Sequence, residues 1–383
     1  MKITHVQVLV IGAGPAGLAA AITARKAGAQ VVVVDSNLTA GGQLFKQIHK
    51  FFGSSAHRAG VRGIDIGVEL LNEAASLGVE IWLNSMAIGC YENHKVAVEY
   101  GADGEDAKEL RIVRADKIVV ATGASENAVR FKGWTLPGVM GAGAVQTMIN
   151  VNRVLPGRRV LMIGSGNVGL IVSYQLMQAG AQVVALLEAM PKISGYSVHA
   201  SKITRAGVPI HTGHTILEAK GDGRVASAVI GGIGPGFVPI AGTEREIEVD
   251  TIALAVGLTP LAGLTRMLGC KMKYDAVFSG WIPLHSDEME SSKEGIFVVG
   301  DATGIEEANT ALEEGRLAGV GIARQLDLLD EATAAAEKRE IWARLDSLRG
   351  GGHGEARHNA KQCQINDYDQ TCVKGGEVYG SVS

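Results

Sequence analysis

Val6-Gln7-Val8-Leu9-Val10-Ile11-Gly12-Ala13-Gly14-Pro15-Ala16-Gly17 is an apolar run that ends in G-x-G-x-x-G. An apolar helical pattern follows to Gly28, and Gln30-Val31-Val32-Val33-Val34-Asp35 is a second apolar run closed by an acid. Strand, glycine-rich turn, helix, second strand and an acidic residue about 20 residues on make up the dinucleotide-binding βαβ unit. Each residue type has a physical task there. Gly12 permits the tight turn out of the strand, Gly14 lets a pyrophosphate approach the backbone, and Gly17 lets the helix pack closely on the sheet. The helix N-terminus at Pro15 and Ala16 offers unpaired N–H groups and a positive dipole end to the phosphates. Asp35, with Ser36 beside it, is placed to accept ribose hydroxyls.

The motif occurs twice. Arg159-Val160-Leu161-Met162-Ile163-Gly164-Ser165-Gly166-Asn167-Val168-Gly169 repeats the opening, a helix runs to Gly180, and Gln182-Val183-Val184-Ala185-Leu186-Leu187-Glu188 repeats the second strand and its acid. One cradle at a helix N-terminus holds one pyrophosphate, so two fingerprints imply two nucleotides. Gly164, Gly166, Asn167, Val168 and Gly169 form the second cradle. Glu188 would hydrogen-bond a 2′-OH and repel a 2′-phosphate, so NADH is expected over NADPH. Lys192 and Arg205 downstream are the cations that would favour the opposite choice.

With 383 residues the chain is long enough for two core-bearing domains and a tail. Hydrophobic residues at 46% and charged residues at 20% fit a soluble globular protein with well-filled cores. A formal net charge of −4 gives no electrostatic reason to expect nucleic acid or an anionic membrane as partner. No apolar run approaches the roughly 20 residues that span a bilayer, and the first strand begins too early for an export signal. Cys90, Cys270, Cys363 and Cys372 are few and scattered, which argues against a disulfide framework. A cytoplasmic location is expected.

Between and beyond the two units the pattern is simpler. Thr39-Ala40-Gly41-Gly42-Gln43-Leu44 is a glycine-pair loop, and Lys46-Gln47-Ile48-His49-Lys50 reads as a solvated helix face. Residues 65–78 have helical spacing that stops at Gly78, and Val79 to Leu83 is a short strand. Gly101 to Asp106 reads as a hairpin tip, Lys117-Ile118-Val119-Val120-Ala121-Thr122-Gly123 as an apolar strand, and Gly221 to Glu248 as hairpins. Asp250 to Gly257 and Gly295-Ile296-Phe297-Val298-Val299-Gly300-Asp301-Ala302 are two more apolar strands ending in glycine-bearing turns. Glu307-Ala308-Asn309-Thr310 opens a helix to about Leu329, Glu331 to Leu348 reads as an amphipathic helix, and Gly350-Gly351-Gly352 breaks it ahead of a polar tail. That tail holds His353, His358, Cys363 and Cys372, without the C-x-x-C or H-x-x-x-H pairing that fixes metal ligands on one turn. No metal is expected there; contact with another protein chain is.

Over residues 1–330 this order of motifs resembles the two-dinucleotide-binding-domain flavoproteins, whose broad relatives include thioredoxin reductase. Trp134-Thr135-Leu136-Pro137-Gly138-Val139-Met140, Val154-Leu155-Pro156-Gly157-Arg158-Arg159 and Glu313-Glu314-Gly315-Arg316-Leu317-Ala318 look closest to one branch. It comprises the hydrogen cyanide synthase B subunit, the opine oxidase A subunit and the dye-linked proline dehydrogenase α-subunit. The resemblance implies an α/β chain of two Rossmann-like, three-layer ββα domains with the second inserted in the first. Residues 1–127 and 263–329 would bind FAD, 128–262 NAD(H), and 330–383 would be a C-terminal helix and polar tail. It places Gly42 and Gln43 beside the isoalloxazine ring, Ala121-Thr122-Gly123 and Gly257 at the crossings between domains, and Gly300-Asp301 at the ribityl and pyrophosphate of FAD. Asn309 and Thr310 then open a helix aimed at flavin N1 and the C2 carbonyl, stabilising reduced flavin.

The missing residues narrow the chemistry further. Between Gly138 and Gly180 there is no cysteine, where a thioredoxin reductase needs C-x-x-C, and the loop after Asp35 carries Gly41-Gly42 where other disulfide reductases place a cysteine. Two tail cysteines are too few for an iron–sulfur cluster, so any such centre belongs to another chain. The expected role is an FAD- and NAD(H)-binding oxidoreductase subunit, electrons passing to or from a second flavoprotein that oxidises an amino acid, hydroxy acid or amine, with an iron–sulfur protein as a further partner. Hydride would pass between nicotinamide C4 and flavin N5 at about 3.5 Å, with no side-chain acid or nucleophile needed. Two alternatives stand beside it: a lone ferredoxin or quinone reductase, and a structural subunit whose second site holds ATP or ADP.

Overall fold

The computed structural model describes residues 2–101, 108–351 and 354–373. The tip of the hairpin expected at Gly101 to Asp106, His353 and the last ten positions lie outside the described residues. Two compact units result, Met1–Ser125 with Thr259–Ser383, and Glu126–Leu258. In the first, β1 (Lys2–Ile11), α1 (Pro15–Lys26) and β2 (Val31–Val34) form the expected βαβ, followed by α2 (Gly63–Ser76) and β3 (Glu80–Trp82). The meander β4 (Met86–Tyr91), β5 (Lys95–Gly101) and β6 (Lys108–Val120) completes a sheet ordered β3-β2-β1-β6-β5-β4. The chain leaves this unit through β7 (Ala124–Glu126).

The second unit holds β8 (Val139–Gly141), α3 (Ala142–Asn150), β9 (Arg159–Ile163), α4 (Asn167–Gln178), β10 (Gln182–Glu188), α5 (Ser197–Arg205) and β11 (Ile210–Thr212). An antiparallel layer of β12 (His214–Lys220), β13 (Ser227–Gly232) and β14 (Arg245–Glu248) realises the hairpins expected over 221–248, and β15 (Thr251–Leu254) closes a parallel sheet ordered β11-β10-β9-β15-β8. β16 (Leu258–Pro260) returns the chain to the first unit. There α6 (Gly263–Met267), the hairpin β17 (Met272–Asp275) and β18 (Gly280–Pro283), β19 (Ile296–Val298), α7 (Ala308–Gln325), α8 (Glu331–Arg349) and α9 (Glu355–Tyr368) follow.

The unbroken apolar runs have a direct cause. Alternate residues of a strand point to opposite faces, and here both faces are covered. Val8 and Val10 enter a core built with α1, α2, α7 and α8, whereas Leu9 and Ile11 enter a second core with Val96, Val98 and Val113. Val160 and Met162 likewise pack under α4 and α5, and Leu161 and Ile163 against β12 and β13. Each unit therefore has the three-layer build, helices on one sheet face and further β structure on the other.

Two local expectations change. Residues 46–50 are not a helix face: a short 3-10 turn, Gly42–Lys46, ends there and the chain continues as a loop in which Lys50 bridges to Arg62. The segment read as a polar tail is helical from Glu355 to Tyr368, and its Lys361 and Gln364 are buried. Polar composition hid this helix because its inward face sets Lys361 and Gln364 between Ala360 and Ile365.

Helix α7 lies close against α1, which the sequence permits by placing Gly315 and Gly319 on the shared face. A Cβ at Gly315 would run into the Ala16 carbonyl oxygen, whereas one at Gly14 would meet nothing within 4 Å. Gly315→Val is therefore expected to lower stability by about 1–3 kcal/mol, as overpacking does. Gly14→Ala should change it by no more than about 0.5 kcal/mol. Urea denaturation midpoints of the two variants check the contrast.

Candidate functional site

The ends of β1 and β9 build the same turn. Gly12 and Gly164 sit at φ +110° and +100°, a region that favours glycine, and their N–H groups donate to Val34 O (2.8 Å) and Leu187 O (2.7 Å). A Cβ on Gly12 would strike the carbonyl oxygen of Ala121, and one on Gly164 that of Ala255. Gly17 and Gly169 press against the carbonyl oxygens of Gly12 and Gly164. By contrast, nothing lies within 4 Å of a Cβ built on Gly14 or Gly166. Space is thus reserved over the second glycine of each motif.

The helices behind these turns begin bare. Neither α1 nor α4 has a side-chain cap or an acidic residue in its first turn. Helix α3 shows the contrary arrangement: Glu126 caps it, accepting from Gly143 N at 2.6 Å and Ala144 N at 3.2 Å. Leading N–H groups of a helix need an acceptor, and at α1 and α4 the open volume leaves room for one from outside. Pro15 and Ala16 form the first turn of α1, and Asn167 and the exposed Val168 that of α4. The residues present therefore fit a pyrophosphate at each turn.

Each acid closes its motif in the same way. Asp35 is buried at the end of β2, with Oδ2 accepting from Ala13 N (2.7 Å) and Oδ1 from Asn37 N and Nδ2 (both 2.8 Å). Glu188 is buried at the end of β10, with Oε2 accepting from Ser165 N (3.1 Å), Ser165 Oγ and Ser194 Oγ (3.4 Å), and Oε1 from Met190 N (2.8 Å). Ala13 and Ser165 are equivalent, each following the first glycine of its motif. Ser165 and Ser194 escaped the sequence reading, as did Gly195, whose N–H donates to Ser165 O at 2.9 Å just as Gly41 N donates to Ala13 O at 2.7 Å. The signal was available: a glycine follows each acid at nearly the same spacing.

Around the first turn the structure gathers several expected residues at the carboxyl ends of parallel strands. A Cβ on Gly42 would approach Gly14 Cα, Ala121 N donates to Ile11 O at 2.8 Å, and a Cβ on Gly300 would meet that of Ala16. Thr122 Oγ1 donates to Leu261 O at 2.7 Å, next to Gly123. Ser36 and Gln43 are exposed. Asn309 and Thr310 begin α7, with Asn309 Nδ2 donating to Phe52 O at 3.4 Å and Thr310 Oγ1 to Glu307 O at 2.6 Å. In the second unit Gly257, at φ +102°, accepts from Asn127 N at 3.0 Å. All four cysteines are free and none lies in either turn; burial pushes the Cys90 thiol up to about 11 and that of Cys270 in the same direction. Among the described residues no three His, Cys, Asp or Glu side chains gather as a metal site, and no helix is long and apolar enough to cross a membrane.

Asp301 sits in the short turn Gly300–Thr303, its Oδ1 accepting from Glu306 N at 3.3 Å. Burial, reinforced by the negative charges of Glu314, Glu306 and Glu307, pushes its pKa up to about 7. The folded value exceeds the unfolded one, so this proton stabilises the fold at low pH and its contribution is lost as pH rises through about 7. The urea midpoint of the flavin-free protein should therefore fall between about pH 4 and about pH 7 and level off above, and Asp301→Asn should flatten most of that fall.

Comparison with known proteins agrees with this geometry. The pattern of the pyridine nucleotide-disulphide oxidoreductases matches residues 6–315. The chain is 30% identical over 365 residues to the opine oxidase A subunit of Rhizobium meliloti (strain 1021), covering 88% of this chain and 75% of that one. It is 26% identical over 397 residues to hydrogen cyanide synthase subunit HcnB of Pseudomonas aeruginosa, covering 97% and 82%. The crystal structure of L-proline dehydrogenase from P. horikoshii shares the fold, with a TM-score of 0.66 and 20% identity; 89% of this chain matches, spanning 59% of that one. The chain belongs to the pyridine nucleotide-disulphide oxidoreductase family and is an FAD-dependent oxidoreductase of that family.

Proposed function

We propose that the first cradle holds FAD and the second NAD(H), and that the chain is the electron-transferring subunit of a dehydrogenase or oxidase complex. The observation that carries the reading is the repetition of one device: an open second glycine, a bare helix start and a buried acid anchored to the amide after the first glycine. In the first unit Gly12, Gly14, Gly17 and the first turn of α1 would take the pyrophosphate and Asp35 a ribose. Asp301, with the loop at Gly42 and Gln43 and the start of α7, would take the rest of the flavin nucleotide. In the second unit Gly164, Gly166, Gly169 and α4 would take the other pyrophosphate, and Glu188 the adenosine ribose. When bound, FAD accepts a hydride from a reduced nicotinamide and can return electrons to a second acceptor.

Glu188 supports NAD(H) over its phosphorylated form. Four donors of its own chain surround the carboxylate and hold it in place; a 2′-phosphate would meet like charge. The absence of cysteine at either turn supports direct transfer without a disulfide relay. The opine oxidase and hydrogen cyanide synthase relatives are each one subunit of their enzyme, which supports a hetero-oligomer here, with a flavoprotein acting on an amino acid, hydroxy acid or amine as partner.

The purified chain is expected to be yellow, and stopped-flow mixing should show NADH bleaching it at least tenfold faster than NADPH. A preparation that takes up no flavin under any condition rejects the assignment. Gly166→Leu should leave the protein yellow yet unreactive towards NADH, whereas Gly14→Leu should abolish flavin retention. Co-purification from the native host checks the complex: a stable heteromer with a second flavoprotein is the expected result, and a lone chain active with ferredoxin or a quinone the contrary one.

A further inference from the structure

Beneath the Gly300–Thr303 turn lies a cluster of ionisable side chains that a dinucleotide cradle does not require. Glu314 of α7 is 2% exposed and uses its two carboxylate oxygens in different directions. Oε2 accepts from Gly300 N at 3.0 Å and Thr303 Oγ1 at 3.1 Å, and so holds the turn that presents Asp301. Oε1 accepts from Arg349 Nη2 at 2.7 Å and Lys361 Nζ at 3.2 Å, the cations supplied by the end of α8 and the middle of α9.

Both cations reach the turn by a second route as well. Arg349 forks onto Glu306, Nε to Oε2 at 2.9 Å and Nη2 to Oε1 at 2.7 Å, and Glu306 N donates to Asp301 Oδ1. Lys361 Nζ donates to Thr303 Oγ1 at 3.0 Å and Thr303 O at 3.3 Å, and lies 4.9 Å from the Phe278 ring centroid. His285 Nε2 stands 3.4 Å from it. Nδ1 of His285 donates to Ser286 O at 2.7 Å, which leaves Nε2 as an acceptor for the ammonium. Acceptors and an aromatic face thus surround Lys361, which is 1% exposed.

We propose that Lys361 is a positioning residue of the flavin site, holding the Gly300–Asp301 turn through Glu314 in the shape that receives the nucleotide. Helix α9 is on this reading a part of that site. The inference rests on the assignment of FAD to the first cradle. Without the ammonium, Glu314 and Glu306 share one guanidinium, and two buried carboxylates so close repel one another. Glu314 then relieves the repulsion by turning away or taking a proton, and in either case loosens its hold on Gly300 N and Thr303.

The test uses the full-length chain, freed of flavin and titrated with FAD, for wild type, Lys361→Met, Glu314→Gln, the double variant and Thr303→Val. Bound-flavin fluorescence gives the dissociation constant, and visible circular dichroism reports the flavin's surroundings. Lys361→Met should weaken FAD binding at least tenfold with an altered dichroism, and the double variant should be no worse than the weaker single variant, because both changes act along one chain of contacts. Binding of NADH should stay within twofold of wild type. Should Lys361→Met fail to fold, Thr303→Val carries the test: it removes the hydroxyl that Lys361 Nζ meets and that faces both Glu314 Oε2 and, at 2.9 Å, Gly300 O, and FAD should bind three- to tenfold more weakly. The proposal is overturned if wild type binds FAD and either Lys361→Met or Thr303→Val binds it within twofold, or if the losses of the two single variants multiply in the double. A wild-type chain that takes up no FAD overturns this proposal together with the function on which it rests.

Discussion

A backbone carbonyl stands where a side chain at position 12 would have to go, and the carbonyl of residue 12 stands where one at position 17 would. This double exclusion is what the first unit depends on. It lets the chain leave β1 in a left-handed turn and start α1 at once, so close to the sheet that the helix N-terminus comes up at the carboxyl ends of the strands. Ala255 and Gly164 impose the same exclusion in the second unit. Any side chain there would force apart elements that make up the core, which is why the constraint shows in the sequence as identically spaced glycine in both halves.

Once the turn is set, the polar groups around it divide into those satisfied within the chain and those left for a ligand. Buried amides and carboxylates find partners: Asp35 takes the amide of Ala13, Glu188 that of Ser165, and Glu126 closes the start of α3. The starts of α1 and α4 have no such side chain. Helix α5 likewise begins without a capping side chain or a first-turn acid, so what marks α1 and α4 is the open volume over Gly14 and Gly166 beside their first turns.

The C-terminal helices add a third layer of constraint. A buried pair such as Arg349 with Glu314 and Glu306 returns little net stability, because desolvation opposes the attraction, yet loss of one partner typically costs about 3–5 kcal/mol. Such a network is a poor glue and a good gauge: it tolerates few arrangements. Here the arrangement includes the amide of Gly300 and the hydroxyl of Thr303. The apolar side of α8, with Ala334, Ile341 and Leu345 in the core, supplies the adhesion that brings Arg349 into reach.

Much of this was legible in the residues alone. Apolar runs doubled by burial on both faces, glycines at fixed spacing and a terminal acid are local constraints, written within some thirty residues of one another, and they determined the two βαβ units and the positions of Gly12, Gly164, Asp35 and Glu188. The helix after Gly354 and the inward turn of Lys361 were not legible. His285, Glu314, Arg349 and Lys361 come from four separate segments, and no period or spacing joins them. A lysine in a polar helix ordinarily faces water; only the packing of α8 and α9 against α7 brought this one to a buried carboxylate, and that is a property of the tertiary structure.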